Sequence, residues 1–100
     1  MDVVFGDDEL DRLEVDPRFT ANLSQALVKA FRKKMQAIRA APDERVFYSQ
    51  RSFRFEELQG KRKGQYSMRL NDQYRLILEF VTITRGQSKT IKVVSIEDYH

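Results

Sequence analysis

His100 is the only histidine in the sequence, and it directly follows Asp98 and Tyr99, so three proton-active side chains stand within three residues behind a strand-like run. Upstream, Arg51, Arg54, Lys61, Arg62, Lys63, Arg69 and Arg75 give residues 51–75 seven bases against three acids. That combination points to phosphate chemistry. Guanidinium groups are planar, permanently charged and able to grip phosphate oxygens in pairs, while an acid–base group beside them moves protons. If the natural chain ends at His100, the α-carboxylate of that residue favours the imidazolium form, which suits a general acid or a phosphate partner better than a base.

Cleavage of RNA without a metal ion requires a base for the 2′-hydroxyl proton, cations for the charge building on the phosphorane, and an acid for the leaving 5′-oxygen. One histidine cannot serve as both acid and base in one step. With His100 as acid, the base must be a carboxylate, and Glu56, Glu57 and Asp98 stand near the basic segment. Strand alternation places Glu56 and Glu57 on opposite faces, so only one of them can look into a site. Arg54 and the glycine-bracketed Lys61, Arg62 and Lys63 of "QGKRKGQ" are candidates for binding RNA phosphates. Arg69 and Arg75 flank the "LNDQY" turn and converge on one sheet face if they stand at equivalent depth. Solvated strand positions paired to Glu79 or Asp72 are the ordinary alternative for these two. No metal site is expected: there is no cysteine, no second histidine and no H-E-x-x-H pattern. The glycine loop lacks the G-K-[ST] of a phosphate-binding P-loop, and no cofactor is implied.

These residues need elements to position them. "VVF" at residues 3–5 reads as a short strand, and the acids after Gly6 suit the start of a first helix near Asp7 to Val15, with Leu10 and Leu13 on one face. Leu23, Leu27, Ala30, Phe31, Met35 and Ile38 recur at spacings of three and four, which predicts a second helix from Asn22 or Ser24 to about Ala40, ended by Pro42. Beyond the polar "PDER" link the period changes to two. Phe53 and Phe55, then Tyr66, Met68 and Leu70, then Tyr74, Leu76, Leu78 and Phe80, then Ile91, Val93 and Ser95 mark strand-like runs, with an extended hairpin over Val81–Lys89. The expectation is one α+β domain over residues 1–100: a short N-terminal strand, two helices, then an antiparallel sheet of three to four strands packed on the helices.

Charge is divided unevenly along the chain. Residues 1–16 hold seven acids and one base, whereas residues 17–100 hold 17 bases against 8 acids, a net +9. Such a body attracts polyanions and acidic protein partners alike. The absence of cysteine, of a signal-like start and of any apolar run near the roughly 18–20 residues that span a bilayer predicts a cytoplasmic protein, with no membrane contact.

Three ordered motifs resemble a known family. They are L-x-G-x-R-x-G (Leu58, Gly60, Arg62, Gly64), S-x-R-x-N-x-Q-[WY]-R (Ser67, Arg69, Asn71, Gln73, Tyr74, Arg75) and the closing D-Y-H. Together they resemble the HigB branch of the RelE/ParE superfamily of bacterial type II toxins, the plasmid-maintenance killer proteins. The resemblance implies a RelE-like, microbial-RNase-like fold. It implies a ribosome-dependent mRNA endoribonuclease that cuts the message in the ribosomal A site by 2′-hydroxyl attack, held inactive by a HigA-type antitoxin with a helix-turn-helix fold. By position, Asp98, Tyr99 and His100 match the family's catalytic tail, and Lys61, Arg62, Lys63, Arg69 and Arg75 its basic surface. Some relatives carry a histidine two residues before Leu58 and a lysine after it, where this sequence has Glu56 and Gln59. That departure agrees with a carboxylate base, Glu56 or Asp98, of which Glu56 is preferred. Arg75 or Arg69 then stabilises the transition state, and Tyr99 stacks on a base or assists proton transfer. A gyrase-inhibiting toxin of the ParE type and a member that only binds its antitoxin are the rival readings; the D-Y-H tail favours the nuclease.

Overall fold

The computed structural model describes residues 1–81 and 90–98. The expected hairpin over Val81–Lys89 therefore falls almost entirely outside the described residues, as do Tyr99 and His100.

The strand β1 (Val3–Phe5) leads into α1 (Asp8–Val15). Asp7 caps the helix, its Oδ1 accepting from the Glu9 N–H at 2.7 Å, and Asp8, Glu9 and Asp11 in the first turn meet the positive end of the helix dipole. Leu10 and Leu13 are buried. The long helix α2 (Gln25–Ala40) is capped by Ser24, whose Oγ accepts from the Leu27 N–H at 3.1 Å. Leu27, Val28, Phe31, Met35 and Ile38 form its buried stripe, each contributing about 1.5–3 kcal/mol on leaving water. Arg32 fixes the connection between the two helices by donating to the carbonyls of Leu13, Asp16 and Phe19 at 2.8–3.1 Å. Ala21 and Asn22 take up the turn there with left-handed backbones, φ 51° and 60°.

After Pro42 the chain forms a helix that the periodicity does not predict, α3 (Arg45–Ser49), and a 3-10 turn over Arg51–Phe53, which bury Phe47 and Phe53. The expected strand through Phe53 and Phe55 shrinks to β2 (Glu56–Glu57). Arg54 is the reason: it adopts a left-handed conformation, φ 45°, which breaks the alternation. The meander continues through β3 (Gln65–Arg69), β4 (Tyr74–Val81) and β5 (Thr90–Asp98).

The sheet has five strands in the order β1-β5-β4-β3-β2. The meander is antiparallel as expected. The N-terminal strand adds itself parallel to β5, with Val3 opposite Ile91 and Phe5 opposite Val93, so the sheet is mixed. Met68, Leu76, Leu78, Ile91 and Val93 join the helix residues in one core. Cross-strand register assigns the opposite face to Glu56, Ser67, Arg75, Ile77, Ser95 and Glu97. On β5 the register slips: Leu78 pairs with Val93 but Ile77 pairs with Ser95, leaving Val94 as a bulge. No helix among the described residues is long and apolar enough to cross a membrane.

Candidate active site

The face away from the helices is built around a buried cation. Arg75, in the middle of the sheet, has a side chain only 8% exposed, and a buried charge is tolerated only where hydrogen bonds replace water. Its Nη2 donates to the carbonyl of Arg54 at 2.6 Å and to Ser67 Oγ at 2.8 Å. The left-handed turn at Arg54 thus aims a main-chain oxygen at the guanidinium, and Ser67, itself 1% exposed, supports it from the neighbouring strand. Glu56, opposite Ser67 in register, brings Oε1 to 3.5 Å from Arg75 Nη2 while over half of its side chain remains in solvent. The result is an exposed carboxylate over a fixed, buried positive charge.

Aromatic packing on the other side of β2 holds Glu56 in place. Phe55 stacks on Tyr66 with ring centroids 5.2 Å apart and planes within 4°, and it meets Phe80 and Phe47 edge-on or tilted. Because Glu57 is opposite Tyr66 and Glu56 opposite Ser67, only Glu56 faces Arg75, as alternation predicts.

The basic turn rises beside this pair. Gly60 and Gly64 bracket it with φ of 68° and 96°, a conformation in which a side chain would be strained. Lys61 and Lys63 are exposed. Arg62, also exposed, reaches across to Glu97 and grips it through two parallel bonds of 2.7 Å. Its Nε donates to Gln65 Oε1 at 3.0 Å, Gln65 donates to Glu79 at 2.9 Å, and Ser95 Oγ donates to Glu97 at 2.9 Å. The hydrogen bonds from Arg62 hold the Glu97 carboxyl below the usual carboxylate range, and the same bonds raise the Arg62 pKa.

Glu56 and Arg75 are therefore in direct contact, with Arg54 joined to them through its backbone while its side chain is exposed. Arg69 and Arg75 are direct cross-strand partners, so the equivalent depth expected of them is met, but Arg69 is ion-paired with Asp72. Asp98 lies opposite Tyr74 on the helix-facing side and accepts from Gln73 Nε2 at 3.0 Å. Tyr99 and His100 lie outside the described residues. Sequence reasoning misses the roles of Glu97, Gln65 and Ser95; for Glu97 the Arg62 pairing depends on the β5 bulge, which no local signal marks.

Known proteins share this architecture. The family model for the RelE-like toxin of the type II toxin–antitoxin system HigB matches residues 3–95. No curated protein matches the chain. Among solved structures it is similar to a YoeB/ParE toxin from Agrobacterium tumefaciens, at 15% identity and TM-score 0.60 over 100% of both chains. It is also similar to a YoeB–YefM complex from Staphylococcus aureus, at 18% identity and TM-score 0.58 over 100% of this chain and 97% of that one. YafQ from E. coli strain BL21(DE3) matches at 12% identity and TM-score 0.56, over 98% and 92% of the two chains. At these identities the likeness concerns the fold.

Proposed function

The chain belongs to the RelE-like toxins of the HigB type, the toxin component of type II toxin–antitoxin systems, and from that premise we propose that it is a metal-independent endoribonuclease that cuts mRNA in the ribosomal A site. The observation that carries this reading is the exposed carboxylate of Glu56 placed 3.5 Å from the buried, anchored guanidinium of Arg75. Glu56 accepts the proton of the 2′-hydroxyl, the freed oxygen attacks the adjacent phosphorus, and the bond from phosphorus to the 5′-oxygen breaks. His100 supplies the proton to that leaving oxygen. The products are a 2′,3′-cyclic phosphate and a 5′-hydroxyl. Arg75 counters the negative charge of the phosphorane with a cation that needs no reorganisation during the reaction.

Lys61, Lys63, Arg54 and Arg69 hold RNA phosphates around the reacting bond, and Arg62 joins them when phosphate oxygens replace the carboxylate of Glu97. Tyr99 stacks on a base or assists proton transfer, while Asp98, the other carboxylate expected as base, is turned by the β5 bulge to the face away from Arg75 and leaves Glu56 as the base. The natural partners are a HigA-type antitoxin with a helix-turn-helix fold and the translating ribosome, in the cytoplasm. A structural relative solved as a YoeB–YefM complex supports an antitoxin partner.

Mapping transcript 5′ ends after expression, with translation running and with it blocked, tests this reading. Cuts that require translation are expected. Growth arrest with DNA damage and no new 5′ ends would replace it with gyrase inhibition of the ParE type.

A further inference from the structure

Phe80, Tyr66, Phe55 and Tyr48 form a continuous row of rings on the side of β2 away from Glu56. Tyr66 meets Phe80 edge-on with centroids 4.9 Å apart, Phe55 stacks on Tyr66, and Tyr48 stands edge-on to Phe55 at 4.9 Å and 83°. The inner three rings are half-buried, whereas Tyr48 is 58% exposed. A lone tyrosine at the surface is ordinary. This one is the solvent-facing end of a packed array, so its ring has little rotamer freedom left to lose when something binds it.

The charges beside the row select its partner. Arg51 and Arg54, on the turn that joins Tyr48 to Glu56, have exposed side chains that enter no ion pair among the described residues. Glu57, opposite Tyr66 in register, repels phosphate from the inner rings. An open ring next to unpaired guanidiniums is how a single strand of nucleic acid is held, base on the aromatic face and phosphate on the cation. The topology gives the strand a path: β2 is the outermost strand of the sheet and both of its residues are exposed, so a message lying on Glu56 can continue over that edge to Tyr48. Resting on the nuclease reading, we propose that Tyr48 binds the message by stacking on the base of a nucleotide that flanks the cut, while Arg51 and Arg54 hold the adjoining phosphates. The stack fixes the register of the strand, and so which 2′-hydroxyl reaches Glu56.

The test is single-turnover cleavage on programmed ribosomes by the parent, Tyr48→Ala and Tyr48→Phe, reading the half-saturating toxin concentration and the limiting rate separately, on messages that carry one abasic nucleotide at successive positions beside the cut. Loss of one base stack should raise the half-saturating concentration about tenfold for Tyr48→Ala, with Tyr48→Phe like the parent. One abasic position should impose the same loss on the parent and add nothing to Tyr48→Ala, a coupling that a merely structural tyrosine would not show. An unchanged half-saturating concentration, or abasic losses that add in full to Tyr48→Ala at every position, overturn the proposal, and so does a variant that loses antitoxin affinity in place of message affinity. The sequence contains no tryptophan, so Tyr48→Trp supplies a single indole whose fluorescence a stacked base quenches on titration with mixed-sequence single-stranded RNA. Quenching in a chain that cuts no message keeps the stacking site and loses the nuclease. Cleavage that is indifferent to Tyr48 keeps the nuclease and loses the stacking site.

Discussion

Replacing Ser67 with alanine asks whether Arg75 is held where the chemistry needs it. Ser67 is 1% exposed, and its Oγ accepts from Arg75 Nη2 at 2.8 Å. Alanine removes that acceptor and little volume. A hydrogen bond to a buried charged group is worth about 1.5–3 kcal/mol. The Arg54 carbonyl stays in place at 2.6 Å, which sets the expectation near the lower end, about 1.5–2 kcal/mol. For a domain of this size about 1 kcal/mol moves the melting midpoint by roughly 4–8 °C, so Ser67→Ala should melt about 10 °C lower. In urea the midpoint should fall with the slope unchanged. A double-mutant cycle with Arg75→Met identifies the cause, because two residues that act through one bond give a combined loss smaller than the sum by about 0.5 kcal/mol or more. Full additivity, or a single-mutant loss below about 0.5 kcal/mol, would refute the claim that Ser67 anchors the guanidinium.

The remaining expectations concern groups around that pair. Glu97 has a folded-state pKa depressed from 4.5 by Arg62, so its stabilisation is present above that value and is lost as pH falls through the lower folded one. Glu97→Gln should cost under about 1 kcal/mol at neutral pH, because the pair is partly solvated, and should flatten the acid limb of a pH–stability curve; an unchanged limb argues against the clamp. Changing Lys61 and Lys63 to alanine should weaken ribosome or RNA binding and lower the slope of log affinity against log salt by about 0.7–0.9 per removed phosphate contact. An identical slope removes those lysines from phosphate binding. His100→Gln should relieve growth arrest while leaving the melting midpoint and antitoxin binding intact, and an undiminished arrest takes His100 out of the mechanism.

Local pattern carried the helices and the meander. The three- and four-residue spacing from Leu23 to Ile38, with Ser24 before it and Pro42 after it, located α2 nearly to the residue, and the "LNDQY" turn set Arg69 against Arg75. Long-range pairing was out of reach. Nothing within "VVF" says that it runs parallel to β5, and five residues of α3 are too few to show a period. The bulge at Val94 had the largest effect on the site. Strict alternation from Val93 would turn Glu97 toward the helices and Asp98 toward Arg75; the extra residue reverses both, so Glu97 meets Arg62 and Asp98 lies opposite Tyr74. Arg54 is a similar case, because a left-handed arginine is chosen by the contacts around it, here a carbonyl fixed on Arg75.

The central claim is that Glu56, set on Arg75, takes the proton that starts RNA cleavage. Single-turnover cleavage of a message on programmed ribosomes, comparing the parent with Glu56→Gln, tests it most directly. Loss of a general base should slow the cut by about 10²–10⁴-fold, with ribosome affinity and melting temperature preserved. A Glu56→Gln protein that cuts at the parent's rate would contradict it.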